Sequence, residues 1–371
     1  MQLITTAFTA LLAATALAAP TLEGRQYIPC SGLEGTAQCC STDVLGVIDL
    51  SCGNPSEVPT SVANFVATCA AIGKTAECCT LPVFSPVVRW GEDILVDERF
   101  RVDRKIGQGG FGLVYLGTDL ASGTEVAMKL SQDREEIGHL RKEKEIYDIL
   151  AGGAGIPRVV WYGDECDYDV LVHELLGPSL GDLLRYCGGT FSLKTVLLVA
   201  DQMIARIRYI HSKGYVHRDV TPSNFLLGVG RFGNTIYAID FGVSEEFKDD
   251  ERARKASNLP FVATLAYASI NNHQGRDDLE SLGCVLIYFL RGTLPWARPA
   301  HHNKDPRNMV MGMKMDMASD KLCEGLPSAF TRYMDYVRSL PFAEKPDYAY
   351  IRKLFRSLFR AKGFQYDNVF D

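Results

Sequence analysis

Apolar positions along the chain fall into segments of different period. Leu3 to Ala19 is dominated by Leu, Ala, Ile and Thr and lies inside a stretch, residues 1–22, that has no charged side chain. Two shorter apolar runs, Val44 to Leu50 and Val62 to Ile72, lie between closely spaced cysteines. From Phe100 to Ile106 polar and apolar residues alternate, the period of a half-buried strand, and strand character returns at Leu113 to Gly117 and at Thr124 to Leu130. The pattern then predicts a helix near Arg134 to Leu150 and an apolar helix over Asp277 to Leu290.

The first run is an address. It ends in Ala16-Leu17-Ala18, small residues at alternating positions that suit a signal peptidase, so residues 1–18 read as a signal peptide cleaved after Ala18. A transmembrane anchor is the weaker reading, since spanning needs about 20 consecutive apolar residues.

Length and composition narrow the rest. At about 150 residues per domain, 371 residues suggest two or three domains, and 47% apolar with 23% charged composition excludes wholesale disorder. With 39 basic and 45 acidic side chains the net charge of −6 argues against a nucleic-acid partner, which would favour a basic surface. Seven of the eleven cysteines, Cys30, Cys39, Cys40, Cys52, Cys69, Cys78 and Cys79, crowd into the first part of the chain. That step in density implies two units suited to different redox compartments.

The cysteines are spaced C-x8-CC-x11-C-x16-C-x8-CC. A unit this small buries little surface, so disulfides of roughly 2–4 kcal/mol each would supply much of its stability. Zinc ligation is the weaker alternative, because the segment has no histidine and adjacent cysteine pairs suit crossed disulfides better. Residues 24–90 resemble a fungal class II hydrophobin through the seventh of that family's eight cysteines. The resemblance implies a small disulfide-rich β-barrel with pairs Cys30–Cys78, Cys39–Cys69 and Cys40–Cys52, and an exposed apolar patch that assembles at hydrophobic interfaces. The eighth cysteine would fall near position 90, which is Trp90, and Cys79 is left odd.

The second part carries the chemistry. Gly107-Gln108-Gly109-Gly110-Phe111-Gly112 joins two strands, a GxGxxG loop whose backbone can approach phosphates. A dinucleotide fold needs a helix next, yet another strand follows, bearing Lys129 in Val-Ala-Met-Lys. Lys129 would hold the α and β phosphates, oriented by a carboxylate of the next helix, where the register favours Glu143 over Glu145. Then come His217-Arg218-Asp219-Val220-Thr221-Pro222-Ser223-Asn224 and Asp240-Phe241-Gly242. Asp219 is placed to accept a substrate hydroxyl's proton, and Asn224 and Asp240 to bind Mg2+. Asp278 would anchor the catalytic loop from below, and as a helix N-terminal acid it also suits the dipole.

Further segments are Gly155-Ile156-Pro157, Trp161-Tyr162-Gly163, Leu175-Leu176-Gly177-Pro178-Ser179-Leu180, Ala268-Ser269-Ile270-Asn271, Asp277-Asp278-Leu279-Glu280-Ser281-Leu282-Gly283 and Lys345-Pro346-Asp347-Tyr348. On these, residues 98–371 resemble the casein kinase 1 family of Ser/Thr protein kinases. The resemblance implies an α+β, bilobal kinase fold with a β-rich small lobe and a helical large lobe, ATP and Mg2+ as cofactors, and protein substrates. ATP would meet Ile106, Gly107, Gly109, Gly112, Val114, Ala127, Lys129, His173, Glu174 and Leu176, the last three at the back of the adenine pocket and the hinge.

Several positions depart from that family. Thr221 stands where it has a phosphate-contacting Lys, a loss of about 10²-fold or more in rate by analogy with other single donors; the benign alternative is that Mg2+ and Lys129 suffice, with the Thr221 hydroxyl still bonded to Asp219. Ala266 and Ala300 replace two basic side chains that read acidic or phosphorylated substrates, with Arg298, His301, His302 and Lys304 nearby as substitutes. The segment between Asn271 and Asp277 is shortened, and His173 replaces a gatekeeper Met, as an altered pocket wall or a buried, hydrogen-bonded histidine.

Three functions follow: a Ser/Thr protein kinase, a secreted surface-active cell-wall protein, or a nucleotide-binding pseudokinase. The signal peptide directs the chain to secretion or the wall. If two neighbouring genes are joined in this sequence, the favoured explanation, the kinase half belongs in the cytoplasm or nucleus.

Overall fold

A computed structural model describes residues 36–42, 48–53, 62–71, 75–79, 94–109, 112–131, 139–165, 168–246, 264–269, 275–297, 305–341 and 344–371. The chain divides into two compact units, 1–88 and 89–371. The signal peptide, Cys30, and residues 298–304 with Ala300 lie outside the described residues.

In the first unit β1 (Thr36–Thr42) is the centre of an antiparallel sheet, flanked by β2 (Ile48–Gly53) and β3 (Thr75–Cys79). The register sets Cys40 opposite Cys52. Helix α1 (Val62–Ala70) carries Cys69, which is fully buried and disulfide-bonded. Val62 to Ala70, within the apolar run Val62 to Ile72, is helical.

The second unit begins with six antiparallel strands in the order β4-β5-β6-β7-β9-β8. They are β4 (Leu95–Val96), β5 (Phe100–Gly109), β6 (Gly112–Asp119), β7 (Thr124–Ser131), β8 (Val159–Glu165) and β9 (Tyr168–Glu174). Against them lies α2 (His139–Leu150), which buries Leu140, Glu143, Ile146, Tyr147 and Leu150, one stripe at helical spacing. The helix expected from Arg134 is described from His139 onward.

The remainder is helical. Its axis is α4 (Leu193–Ser212), capped by Ser192 Oγ accepting from Thr195 N at 3.1 Å, which buries Val196 to Ala200, Met203, Ile204, Ile207 and Ile210 and leaves Asp201, Arg206 and Arg208 on its outer side. An apolar stripe this wide faces the core, and α4 packs against Gly275–Arg291, Tyr348–Ala361, Tyr215–Val216 and Ile236–Ala238. Its companions are α3 (Leu180–Tyr186), α5 (Gly275–Arg291), α6 (Pro306–Asp316), α7 (Ser319–Leu322), α8 (Ser328–Ser339) and α9 (Tyr348–Ala361). One continuous core joins them through fully buried Leu282, Phe289, Trp296, Phe330 and Phe355. Two short ladders hold the intervening loops: β10 (Tyr215–Val216) with β13 (Glu245–Glu246), and β11 (Phe225–Leu227) with β12 (Ile236–Ala238). No helix among the described residues is long and apolar enough to cross a membrane.

Candidate active site

The glycine loop is the β5–β6 hairpin, with Gly107 opposite Val114 and Gly109 opposite Gly112. Gly112 has φ +127°, and a Cβ there would stand 2.1 Å from the Leu130 carbonyl oxygen, so packing against β7 already demands glycine. Gly107 is different: a Cβ would meet only Val114 among the described residues, its Cβ at 3.5 Å and its Cγ2 at 3.8 Å, both ordinary contacts. No neighbour among the described residues requires glycine there, which fits a backbone kept bare for a ligand. Gly110 and Phe111 lie outside the described residues.

Beneath the loop, Ala127 faces His173 across β7 and β9, and Val126 faces Glu174. Ala127 and Leu176 are buried, whereas Ile106 is exposed. His173 is also buried, and burial pushes its imidazole below the ordinary histidine value. Its Nδ1 lies 2.9 Å from the Glu174 carbonyl, which can only accept, so Nδ1 carries a proton. The buried, hydrogen-bonded reading of His173 describes its geometry. Glu174 Oε1 accepts from Arg158 N at 2.9 Å, fixing the start of the connection to the helical part.

Lys129 Nζ stands between two carboxylates, 2.7 Å from Glu143 Oε2 and 2.8 Å from Asp240 Oδ1. Glu143, one residue inside the buried stripe of α2, reaches the lysine, while Glu145 on the other face is exposed. Burial pushes the Glu143 carboxyl up to about 7, with Lys129 opposing and Asp240 adding to the effect. A carboxyl raised on folding stabilises fully below its ordinary 4.5, and that contribution is lost as pH rises through 7. Denaturant melts of Glu143→Gln are therefore expected to show a smaller loss of stability from pH 5 to pH 8 than the parent shows. An equal loss in both would refute this.

Asp240 is held in the left-handed region, φ +66°, as is Arg218 at φ +69°, conformations that cost non-glycine residues energy and persist where surroundings enforce them. The enforcement is visible. Phe241 is fully buried, edge-on to Tyr147 of α2 with centroids 4.9 Å apart and 5.2 Å from the His217 ring. The Asp240 amide donates to Tyr147 Oη at 3.3 Å. Ile239 N donates to Asn224 O at 3.0 Å, so the two proposed metal ligands sit at the open end of the β11–β12 hairpin.

Asp219 is clamped from two sides. Asn224 Nδ2 donates to its Oδ2 at 2.8 Å, and Thr264 donates to Oδ1 through its amide (3.0 Å) and its hydroxyl (2.9 Å). The threonine hydroxyl on Asp219 is thus Thr264's and not Thr221's, which corrects the compensation expected of Thr221. Thr221 is buried, with φ −132° and ψ 158°, at the start of the turn carrying Asn224. No local spacing signals Thr264, whose contact spans 45 positions.

Asp278, at the start of α5, lies under the catalytic loop as expected. Its Oδ2 accepts from His217 N (2.7 Å) and His211 Nε2 (2.7 Å), and its Oδ1 from Arg218 N (2.8 Å). His211 Nδ1 in turn meets the Tyr348 hydroxyl. The segment 264–269 is fastened from below by buried Lys314, which donates to the carbonyls of Leu265 (2.9 Å) and Ala268 (2.6 Å). Ala266 contributes only its carbonyl, to Trp296 Nε1 at 2.7 Å, and Ser269 is buried against Asp277 and Glu280.

The donor set suits Mg-ATP. It offers a bare hairpin, an ammonium and, at one hairpin mouth, a carboxylate beside a carboxamide whose nitrogen is turned away to Asp219, leaving its oxygen for a hard cation.

Residues 100–337, well over half of the chain, match the family model for the protein kinase domain, and the chain belongs to that family. Residues 30–88 match the model of the fungal hydrophobin family.

Proposed function

We propose that the chain is a Ser/Thr protein kinase of the casein kinase 1 type, using Mg-ATP to phosphorylate hydroxyls of protein substrates. The observation carrying this reading is the pair of clamps: Lys129 between Glu143 and Asp240, and Asp219 between Asn224 and Thr264.

Mg-ATP, when bound, supplies the transferable phosphoryl group and a cation to offset its charge. Gly107, Gly109 and Gly112 would line the phosphate site, Lys129 would hold phosphate oxygens, and Asn224 and Asp240 would hold the metal. A carboxylate has about four acceptor sites. Three on Asp219 are taken, two of them at Oδ1, so Oδ2 is the oxygen that orients the acceptor hydroxyl and takes its proton.

Turnover is slow in this reading. With Thr264 rather than Thr221 on Asp219, nothing at position 221 replaces a cation directed at the transferring phosphate, a deficit of about 10²-fold. Phosphoryl transfer from Mg-ATP to a casein-like acidic substrate by the full chain tests both points. Asp240→Asn is expected to abolish it and Thr221→Lys to raise it about 10²-fold. A parent that transfers nothing while Thr221→Lys does would make the chain a nucleotide-binding pseudokinase.

For residues 24–90 we infer a hydrophobin-type surface-active unit with the pairs Cys30–Cys78, Cys39–Cys69 and Cys40–Cys52. Directly opposed residues of antiparallel strands lie about 4.5–5.5 Å apart at Cα, within disulfide reach, which supports Cys40–Cys52. The bonded state of buried Cys69 supports its pairing within this unit. Non-reduced peptide mapping should recover Cys39 joined to Cys69, and Cys69 joined elsewhere would overturn the scheme. The signal peptide places this unit on the secretory path, whereas the kinase type favours cytoplasm or nucleus. A native peptide spanning Pro86 to Glu98 would establish one continuous product, and separate products divided near Trp90 would establish joined genes.

A further inference from the structure

Helices α4 and α9 border a recess of about 310 Å3 on the helical part of the kinase unit, lined by Asp201, Arg206, Asn234, Thr235, Arg352 and Asn368 among others. Its lining is polar and its charge is unbalanced. Asp201 alone receives two bidentate arginine forks from successive turns of α9. Arg352 donates to Oδ1 and Oδ2 at 3.0 and 2.8 Å, and Arg356 to the same oxygens at 2.8 and 3.0 Å. One carboxylate facing two guanidinium groups leaves a positive charge over.

Arg206 adds another. Its Nε donates to the Ile236 carbonyl at 2.8 Å, and that is its one hydrogen bond among the described residues. The remaining four N–H bonds of its fork have no protein acceptor there. Burial lowers the Arg206 pKa, Tyr237 opposes that, Arg352 adds to the lowering, and no carboxylate takes part. Nor is the side chain at liberty to turn into solvent. A Cβ at Gly155 would fall 2.0 Å from Arg206 Nε and 2.3 Å from the Ile236 oxygen, so the backbone at Gly155 lies flat against the guanidinium. A solvated surface arginine pays nothing for lacking a partner, but a half-buried one fixed at the edge of a cavity does.

We propose that this recess binds a phosphate-class oxyanion through Arg206 and Arg352, either the phosphorylated side chain of a protein or the free ion. Two surplus cations match the charge of −1.5 to −2 that a phosphomonoester carries near neutral pH, and the Arg206 Nη groups with Arg352 Nη1 remain to donate charge-assisted hydrogen bonds to its oxygens. Asn234 and Thr235 belong to the outer turn of the β11–β12 hairpin, whose other end carries Asn224 and Asp240, so an occupant would brace that hairpin from its far end. The inference does not depend on phosphoryl transfer.

The test is equilibrium dialysis of the full chain against inorganic phosphate at fixed ionic strength, with a phosphoserine peptide and its unmodified twin as separate arms. Because the glycine loop and Lys129 also attract phosphate, each ligand is measured in Lys129→Met as well. Saturable phosphate binding is expected to survive Lys129→Met and to weaken about tenfold or more in Arg206→Gln, as for loss of a charge-assisted fork. Arg352→Gln should weaken it too, and serves if Arg206→Gln fails to fold, since Arg356 still pairs with Asp201. Binding of the phosphopeptide but not its twin, with the same arginine dependence, identifies a protein side chain as the source; binding of inorganic phosphate alone identifies the free ion. Unchanged affinity in a folded Arg206→Gln or Arg352→Gln chain, or loss of all phosphate binding in Lys129→Met, overturns the proposal.

Discussion

Asp219→Asn is expected to lower kcat for phosphoryl transfer by about 10³-fold, within the span typical of a lost general base, while the Michaelis constant for ATP stays near the parent's. The arrangement around Asp219 explains both the size and the selectivity. All three groups that hold it are donors, Asn224 Nδ2 on Oδ2 and the Thr264 amide and hydroxyl on Oδ1. A carboxamide fits neither way round. With its nitrogen at the Oδ2 position it faces the Asn224 amide, and with its nitrogen at the Oδ1 position it faces the Thr264 N–H, so donor meets donor in each case. The variant therefore loses the proton acceptor and also the clamp that orients it. Lys129, Glu143 and Asp240 are untouched, so nucleotide binding should persist. Activity within tenfold of the parent would remove Asp219 from the chemistry.

The largest stability effect is expected at Asp278. Its carboxylate is 2% exposed and accepts from two backbone amides and an imidazole. Asp278→Ala leaves those donors buried without an acceptor, at about 1–3 kcal/mol for each unsatisfied group. A total loss of about 3–5 kcal/mol, in line with removing one partner of a buried pair, is a large fraction of an ordinary domain's stability. Denaturant unfolding of the kinase unit should show it as a lowered midpoint with little change in slope. A shift below about 1 kcal/mol would mean that the loop finds other acceptors.

The same carboxylate makes a signed contribution to the pH profile. Burial pushes its pKa up, but hydrogen bonds and charge from His211 and His217 outweigh that and hold it below the usual 3.8. A carboxyl lowered on folding stabilises fully above its ordinary value, and the contribution fades as pH falls through the lowered one. Asp278 therefore works in the acid limb, opposite in sense to Glu143, whose contribution fades on the way to neutrality.

How much of this was legible in the chain follows from the range of each interaction. Glu143 could be chosen over Glu145 because helical period and the needs of Lys129 agree, both local facts. The glycine loop, Asp219, Asn224 and Asp240 were readable because their spacing is itself the chemistry. Thr264 was not, since a hydroxyl reaching a carboxylate 45 positions away leaves no trace in local pattern. The reason for Gly112 was only half visible. A phosphate loop wants glycine, but the tight approach of Leu130 O exists only once β6 and β7 are paired. Likewise, Arg352 and Arg356 are an evident pair one helical turn apart, whereas their shared partner Asp201 lies some 150 positions upstream.

The β11–β12 hairpin has a consequence for how this protein can change. Three register pairs, Phe225 with Ala238, Leu226 with Tyr237 and Leu227 with Ile236, separate the mouth that bears Asn224 and Asp240 from the tip around Gly230 to Gly233. A slip of one residue in either strand turns every side chain to the opposite face, so the ladder tolerates no insertion. The tip is under no such constraint, because added residues there lengthen a loop without altering the register. Sequence novelty can thus accumulate at one end of a six-residue ladder while the spacing of the two metal-ligand candidates at the other end is inherited unchanged.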